Sequence, residues 1–260
     1  MTWIYLSPHL DDAALSCGGL IAHQALAGEA VEIWTICAGD PPPGPLSPFA
    51  EELHTRWQTG KEATALRRQE DLASCAQLSA TCRHLPVPDC IYRQAGMDYW
   101  LKTNPLPADA SIAQPSFLYP NRDAIFATLH PQENDLVDRL AHELGRVLPP
   151  DAELVCPLTL GGHVDHRLTR AAAESLGRQL WYYADYPYAV EHGEQIASLE
   201  ADGWLMQRFS ISQAALQAWI QAVTAHQSQI STFWPDLPAM QAAIKAYHDQ
   251  FGGAVVWKKK

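Results

Sequence analysis

An apolar, β-prone run from Trp3 to Ser7 breaks at Pro8-His-Leu-Asp-Asp12, and the period then changes. Ala14, Leu15, Ile21, Ala22, Ala25 and Leu26 fall at helical spacing and stop near Gly28, so strand, loop and helix follow one another. Val31 to Cys37 predicts a second strand, and Arg67 to Leu78 a second helix with Leu72 and Ala76 on one face. Between them Pro41, Pro42, Pro43, Pro45 and Pro48 mark a long irregular loop, the kind of segment that covers a site or binds at one. A short run at His84 to Val87 leads into a stretch rich in proline, tyrosine and polar residues that shows no clear period up to about Asn121.

Leu136, Leu140, Leu144 and Val147 then mark an amphipathic helix that stops at Pro149-Pro150. Glu153 to Pro157 predicts a strand, and Gly161-Gly-His-Val-Asp-His-Arg167 repeats the turn from strand to helix, which Ala171, Ala172, Ser175 and Leu176 continue. Trp181 to Ala184 reads as another strand and Ala214 to Ala225 as a late helix. Alternating β and α elements predict an α/β fold, a Rossmann-like three-layer sandwich with a mainly parallel sheet and helices on both faces. We expect a single domain over residues 1–260, with irregular insertions near 39–60 and 91–121.

Composition agrees with a large core. Of 260 residues 47% are hydrophobic and 18% charged, below the roughly 25% charged that is usual, so disorder is excluded. With 18 Lys+Arg against 29 Asp+Glu the formal charge is −11, which excludes a basic nucleic-acid binder and disfavours anionic lipid. The N-terminus has no basic region and its apolar run ends at Ser7-Pro8, so no export signal is indicated. No stretch reaches the ~18 consecutive apolar residues of a membrane span, so no membrane insertion is expected. The six cysteines form no CxxC pair and read as reduced, mostly buried thiols, from which a cytoplasmic location is expected. A homo-oligomer is compatible with this composition, and Lys258-Lys259-Lys260 reads as a solvated end.

Ligands of open α/β sheets gather at the carboxyl ends of strands, and two polar clusters stand there. His9, Asp11 and Asp12 leave the first strand together; His163, Asp165 and His166 open a helix after a later one. A catalytic zinc takes three protein ligands plus water, and one histidine from each cluster with one aspartate meets that need. Two adjacent carboxylates repel unless a cation is near or they face different partners, so one can ligate while the other handles protons. The plainer alternative makes Asp11 and Asp12 helix caps, His9 a loop histidine, and His163 and His166 exposed. A 2-His-1-carboxylate set also suits non-haem Fe(II) oxygenases, and a non-catalytic sugar- or nucleotide-binding α/β module is a third possibility, although no GxGxxG or P-loop is present.

At these residues the chain resembles the PIG-L/LmbE-like family of zinc-dependent N-deacetylases. Ser7-Pro-His-Leu-Asp-Asp-Ala-Ala-Leu-Ser-Cys-Gly-Gly19 resembles that family's PHPDDE…GG signature, His163-Val-Asp-His166 its HxDH signature, and Arg67-Arg-Gln-Glu70 its RxxE element. The resemblance implies His9, Asp12 and His166 as Zn2+ ligands, Asp11 as general base, and a cationic His163 that stabilises the oxyanion, oriented or tuned by Asp165. Leu10 and Ala13 depart from the pattern, standing where proline and glutamate are usual; neither position belongs to the ligand set. Arg67 is expected to reach a hydroxyl, phosphate or carboxylate of the ligand, Arg68 to be a surface residue or to share that role. The tyrosines of Tyr182-Tyr-Ala-Asp-Tyr-Pro-Tyr188 offer an aromatic wall or core packing. Trp57, Tyr99 and Trp100 would close over substrate or pin their loops, and His226 would line the pocket or be structural. The implied reaction removes an N-acetyl group from a small amino sugar or glycoside.

Overall fold

The structure, a computed structural model, describes residues 1–100, 116–199 and 201–260. Seven strands form one sheet: β1 (Thr2–Ser7), β2 (Ala30–Thr35), β3 (Thr81–His84), β4 (Glu153–Pro157), β5 (Leu180–Tyr183), β6 (Trp204–Phe209) and β7 (Ala254–Lys259). Their order is β3-β2-β1-β4-β5-β7-β6. The first five are mutually parallel, and β7 runs antiparallel to both β5 and β6. The chain builds outward from β1 through β2 to β3, then returns to place β4 on the other side of β1. A crevice therefore opens between the carboxyl ends of β1 and β4, where α/β sheets collect their ligands.

The helices are α1 (Asp12–Leu26), α2 (Pro48–Arg56), α3 (Ala63–Leu78), α4 (Arg122–Ile125), α5 (Asn134–Val147), α6 (Val164–Glu174), α7 (Tyr188–Glu191), α8 (Gly193–Ser198), α9 (Gln213–Ala225), α10 (Gln227–Phe233) and α11 (Leu237–Phe251). Ile4 and Leu6 of β1 join the core that α5 and α6 cover; Trp3 and Tyr5 join the core beneath α1 and α3. Apolar residues on both faces of one strand are what a parallel sheet between two helical layers requires. This is the three-layer α/β fold expected.

Several boundaries differ from the sequence reading. The Pro-rich stretch contains α2, started by the Ser47 hydroxyl, which accepts the Ala50 N–H, and by Pro48 at its first position. Leu72 and Ala76 face solvent; the inner face of α3 carries Arg67, Asp71, Ser74, Cys75 and Leu78 instead, because that face looks onto the site and onto β3. The run at His84 belongs to a strand that begins at Thr81. Lys258 and Lys259 are the end of β7 rather than a free tail: Lys259 Nζ sits 3.0 Å from Glu174 Oε1, and Lys258 Nζ lies over the Trp181 ring. Of the expected irregular insertion near 91–121, residues 101–115 lie outside those described. No described helix is long and apolar enough to cross a membrane.

Candidate active site

The loop after β1 is shaped by Ser7, whose hydroxyl donates to the His9 carbonyl (2.6 Å) and accepts the Ala13 N–H (3.0 Å). This tight turn carries His9, Asp11 and Asp12 from the strand end onto the first turn of α1. Leu10 and Ala13 are both buried, and Ala13 packs with Cys17 and Leu20, so the two departures from the usual pattern are absorbed by the core. After β4, Gly161 and Gly162 take φ of +79° and +76°, a conformation natural to glycine, and a side chain at Gly161 would meet the Tyr188 ring. That turn sets His163 at the N-cap of α6, where its Nδ1 accepts the Asp165 N–H at 3.2 Å.

Three atoms converge between the strands. Asp12 Oδ2 lies 3.0 Å from His9 Nδ1 and 3.3 Å from His166 Nε2, and it also accepts the His9 backbone N–H at 2.8 Å. The other ring nitrogen of each histidine faces a carboxylate: His9 Nε2 lies 2.9 Å from Asp165 Oδ2, and His166 Nδ1 lies 2.5 Å from Asp185 Oδ1. A carboxylate on the outer nitrogen fixes tautomer and ring orientation at metal-binding histidines. None of these residues is exposed, so the reading in which they serve as caps and surface histidines does not describe them, apart from the cap made by His163.

The electrostatics call for positive charge at this point. Burial disfavours the charged forms of His9 and His166, but Asp89 and Asp12 outweigh it at His9 and raise its pKa well above the ordinary value. Asp12, with Asp185, likewise holds His166 up at about 10. Burial also works against ionised Asp12, yet His166 and His9 keep its carboxyl well below the usual range. The two nitrogens and one oxygen are the donor set of a catalytic zinc centre with an open position. His9, Asp12 and His166 therefore fit a divalent metal, and a ring nitrogen of His163 lies within 4.8 Å of one on each of the two histidines.

Asp11 points toward the cleft beside Arg67, whose Nη2 is 3.6 Å from Asp11 Oδ1 and whose Nη1 is 3.6 Å from Asp89 Oδ2. Burial raises the Asp11 pKa against the pull of Arg67. Arg67 is itself buried, lies 5.0 Å from the centre of the Trp57 ring, and has an Nε without a partner. Arg68 instead reaches the Ala38 carbonyl and Asp40 at the surface. Burial, and then the charge of His9, push the His163 pKa well below its ordinary value. With Nδ1 occupied as an acceptor, a neutral His163 carries its proton on Nε2. Burial and the charge of His9 both act against the imidazolium form that was expected.

The Asp165 carboxylate goes to His9, to the Cys90 N–H at 3.0 Å and to Arg93, not to the His163 ring. Arg93 is fully buried and bridges Asp165 to Glu133, which Tyr119 also contacts. Sequence reasoning missed Asp185, Asp89 and Arg93; only position at or just beyond a strand end could have flagged the two aspartates. The cleft has a volume of about 640 Å³. Trp57 and Tyr188 line it, whereas Tyr182, Tyr183 and Tyr186 are core. The Tyr99 hydroxyl is bound to the Gln94 backbone, and buried His226 has an unpartnered Nε2.

With that geometry, the chain belongs to the PIG-L family, described as GlcNAc-PI de-N-acetylase, which matches residues 4–176. It is accordingly a hydrolase of the deacetylase class. A zinc-inhibited form of teicoplanin deacetylase superposes with a TM-score of 0.73 at 25% identity, over 99% of this chain and 97% of that one. A pseudoaglycone deacetylase gives 0.68 at 26% identity, over 98% and 94%. The 2'-N-acetylparomamine deacetylase of Niallia circulans is 25% identical over 218 residues, 78% of this chain and 71% of the relative.

Proposed function

We propose that residues 1–260 act as one zinc-dependent deacetylase domain that frees the amine of an N-acetylated amino sugar within a larger glycoside. The observation that carries this is the convergence of His9 Nδ1, Asp12 Oδ2 and His166 Nε2, with Asp165 and Asp185 behind the two imidazoles and Asp11 beside them. Bound Zn2+ would supply an acidified water, its pKa lowered from ~15.7 to about 7, and a Lewis-acid contact to the acyl oxygen. A similar deacetylase is known in a zinc-inhibited form, which supports zinc binding in this fold, while the donor set of His9, Asp12 and His166 is the argument for zinc in turnover.

Asp11 takes the water's proton as general base, its burial keeping the carboxylate basic enough for that task. His163 Nε2–H donates to the negative charge that develops on the acyl oxygen, a contact whose loss typically costs ~10²–10³ in turnover. Asp11, now protonated, returns the proton to the departing nitrogen. Arg67, between Asp11 and Asp89, holds a hydroxyl or an anionic group of the substrate. Phe49, Trp57, Ile91, Phe126 and Phe233 give the cleft an apolar wall suited to a sugar face or an aromatic aglycone, next to polar Asn121 and Gln229. Relatives named as deacetylases of 2'-N-acetylparomamine and of teicoplanin support an N-acetylated substrate of comparable kind.

The test is release of free amine from a panel of N-acetylated amino sugars, inositol glycosides and aminoglycosides, with zinc content measured in parallel. We expect turnover on glycoside-borne N-acetyl groups that is abolished by a chelator and restored by Zn2+. Full activity in metal-free protein would overturn the mechanism.

A further inference from the structure

Away from the cleft, a second group of metal-capable side chains stands where α3 meets β3. Asp71 and Cys75 are one turn apart and share a face of α3; Cys82 and His84, two residues apart, share a face of β3. Because β3 is the outermost strand of the sheet and α3 runs into it through Ser79 and Ala80, these two faces meet. His84 Nε2 is 2.8 Å from Asp71 Oδ2 and 3.1 Å from Cys82 Sγ, and that sulfur is 3.2 Å from the same carboxylate oxygen.

The pattern is not that of a proton relay. A relaying histidine uses its two nitrogens for two partners, whereas here thiol and carboxylate both meet Nε2 and each other, closing a triangle of three donor atoms. Cys75 Sγ lies 4.0 Å from the second oxygen of Asp71, and the ligand atoms of Asp71, Cys75 and Cys82 all fall within 4.8 Å of one another. Tetrahedral zinc, with Zn–S of ~2.3 Å and Zn–N or Zn–O of ~2.0–2.2 Å, has donor-to-donor edges of roughly 3.3–3.8 Å. The pairs among Asp71, Cys82 and His84, at 2.8, 3.1 and 3.2 Å, lie just below that range and the Cys75–Asp71 pair, at 4.0 Å, just above it; His84 joins the group through Asp71 and Cys82 rather than through Cys75. Thr35 Oγ1, 3.3 Å from Asp71 Oδ2, adds an outer hydroxyl that orients the carboxylate. Asp71 and Cys75 are buried while Cys82 and His84 are partly exposed, so an ion can enter from the strand side.

We propose that Asp71, Cys75, Cys82 and His84 form a second, structural zinc site that clamps α3 to the edge strand. On binding, both thiols lose their protons to solvent; the carboxylate and a neutral imidazole complete the shell. Two sulfur donors select zinc over magnesium or calcium. Arg67 lies one turn before Asp71 on the same helix, so the clamp also steadies the helix that presents Arg67 to the cleft.

The test uses reduced, chelator-treated full-length protein titrated with Co2+. Thiolate-to-cobalt charge-transfer absorption reports only sites with sulfur ligands, and the set His9, Asp12 and His166 has none. We expect the absorption in the unsubstituted protein, its retention in His166→Ala and its loss in Cys82→Ser. Zinc analysis should give two ions per chain for the unsubstituted protein and one for each variant. No charge-transfer absorption in the unsubstituted protein, or an undiminished one in Cys82→Ser, overturns the proposal, as does a Cys75–Cys82 disulfide that persists under reductant. Should Cys82→Ser fail to fold, alkylation of the unsubstituted protein decides: protection of Cys75 and Cys82 by Zn2+ supports the site, and equal labelling with and without Zn2+ overturns it.

Discussion

At Asp11 two forces oppose each other. Burial raises the pKa of the carboxyl and the Arg67 guanidinium lowers it, with burial the larger effect, as the proposed general base requires. Asp11→Asn keeps the shape and removes the basicity. We expect kcat to fall by about 10²–10⁴ with zinc content unchanged, whereas His166→Ala should lose the cleft metal, both read by metal analysis beside turnover. Asp185→Asn leaves the His166 ring without its anionic partner, and zinc affinity should weaken by about 10–100-fold in competition with a chelator. His9, Asp11, Asp12, His163 and His166 were legible in the sequence because each cluster is contiguous and follows a strand. Asp185, 19 residues from His166, and Arg93, 72 residues from Asp165, were not, since their partners are chosen by packing.

At the scale of elements, the crossing of α1 on α9 is set by glycine. The Trp219 ring lies against Gly18 and Gly19, and its Nε1–H donates to the Ala14 carbonyl at 2.7 Å. A methyl group on Gly18 would overlap that ring, which is buried and tied to Ala14 by its hydrogen bond. Gly18→Ala should therefore destabilise the fold by about 1–3 kcal/mol through overpacking, seen as a lower urea midpoint with little change in slope. The glycine pair at the end of the first signature thus has a packing reason, separate from the chemistry of His9 and Asp12. Periodicity found α1, α5, α6 and α9 because their buried faces are mainly apolar. It misread the face of α3, where Arg67, Asp71 and Ser74 occupy inward positions and solvent takes Leu72.

Across the whole molecule, the last strand closes the sheet by bringing residues from distant parts of the chain together at Glu174. Lys259 Nζ, Arg170 Nε and the Tyr182 hydroxyl all reach its carboxylate. Burial opposes the ionised form, but Lys259 and Arg170 prevail and the pKa lies below its ordinary 4.5. A lowered folded pKa gives stability that is present above 4.5 and is lost as pH falls through the folded value. Glu174→Gln should lower the urea midpoint slightly at pH 7, the group being partly exposed, and the two proteins should converge as pH drops below 4.5. A difference that persists undiminished in acid would show that packing, not charge, supplies the contribution.

What the sequence determined by itself was local: the alternation of strand and helix, the turn residues, and two short polar clusters, all readable because backbone period and nearest spacing are properties of neighbouring residues. The tertiary structure decided what neighbours cannot. It set β4 beside β1, so that His9 and Asp165, 156 residues apart, meet at 2.9 Å. It gave His9 and His166 a carboxylate each, added the antiparallel pair β6 and β7 that the hydrophobic pattern had left unassigned, and joined α3 to β3 around Asp71, Cys75, Cys82 and His84. The physical reason is the same in each case: burial of two apolar faces selects the strand order, and that order brings polar groups into contact across gaps in the chain that no local period spans.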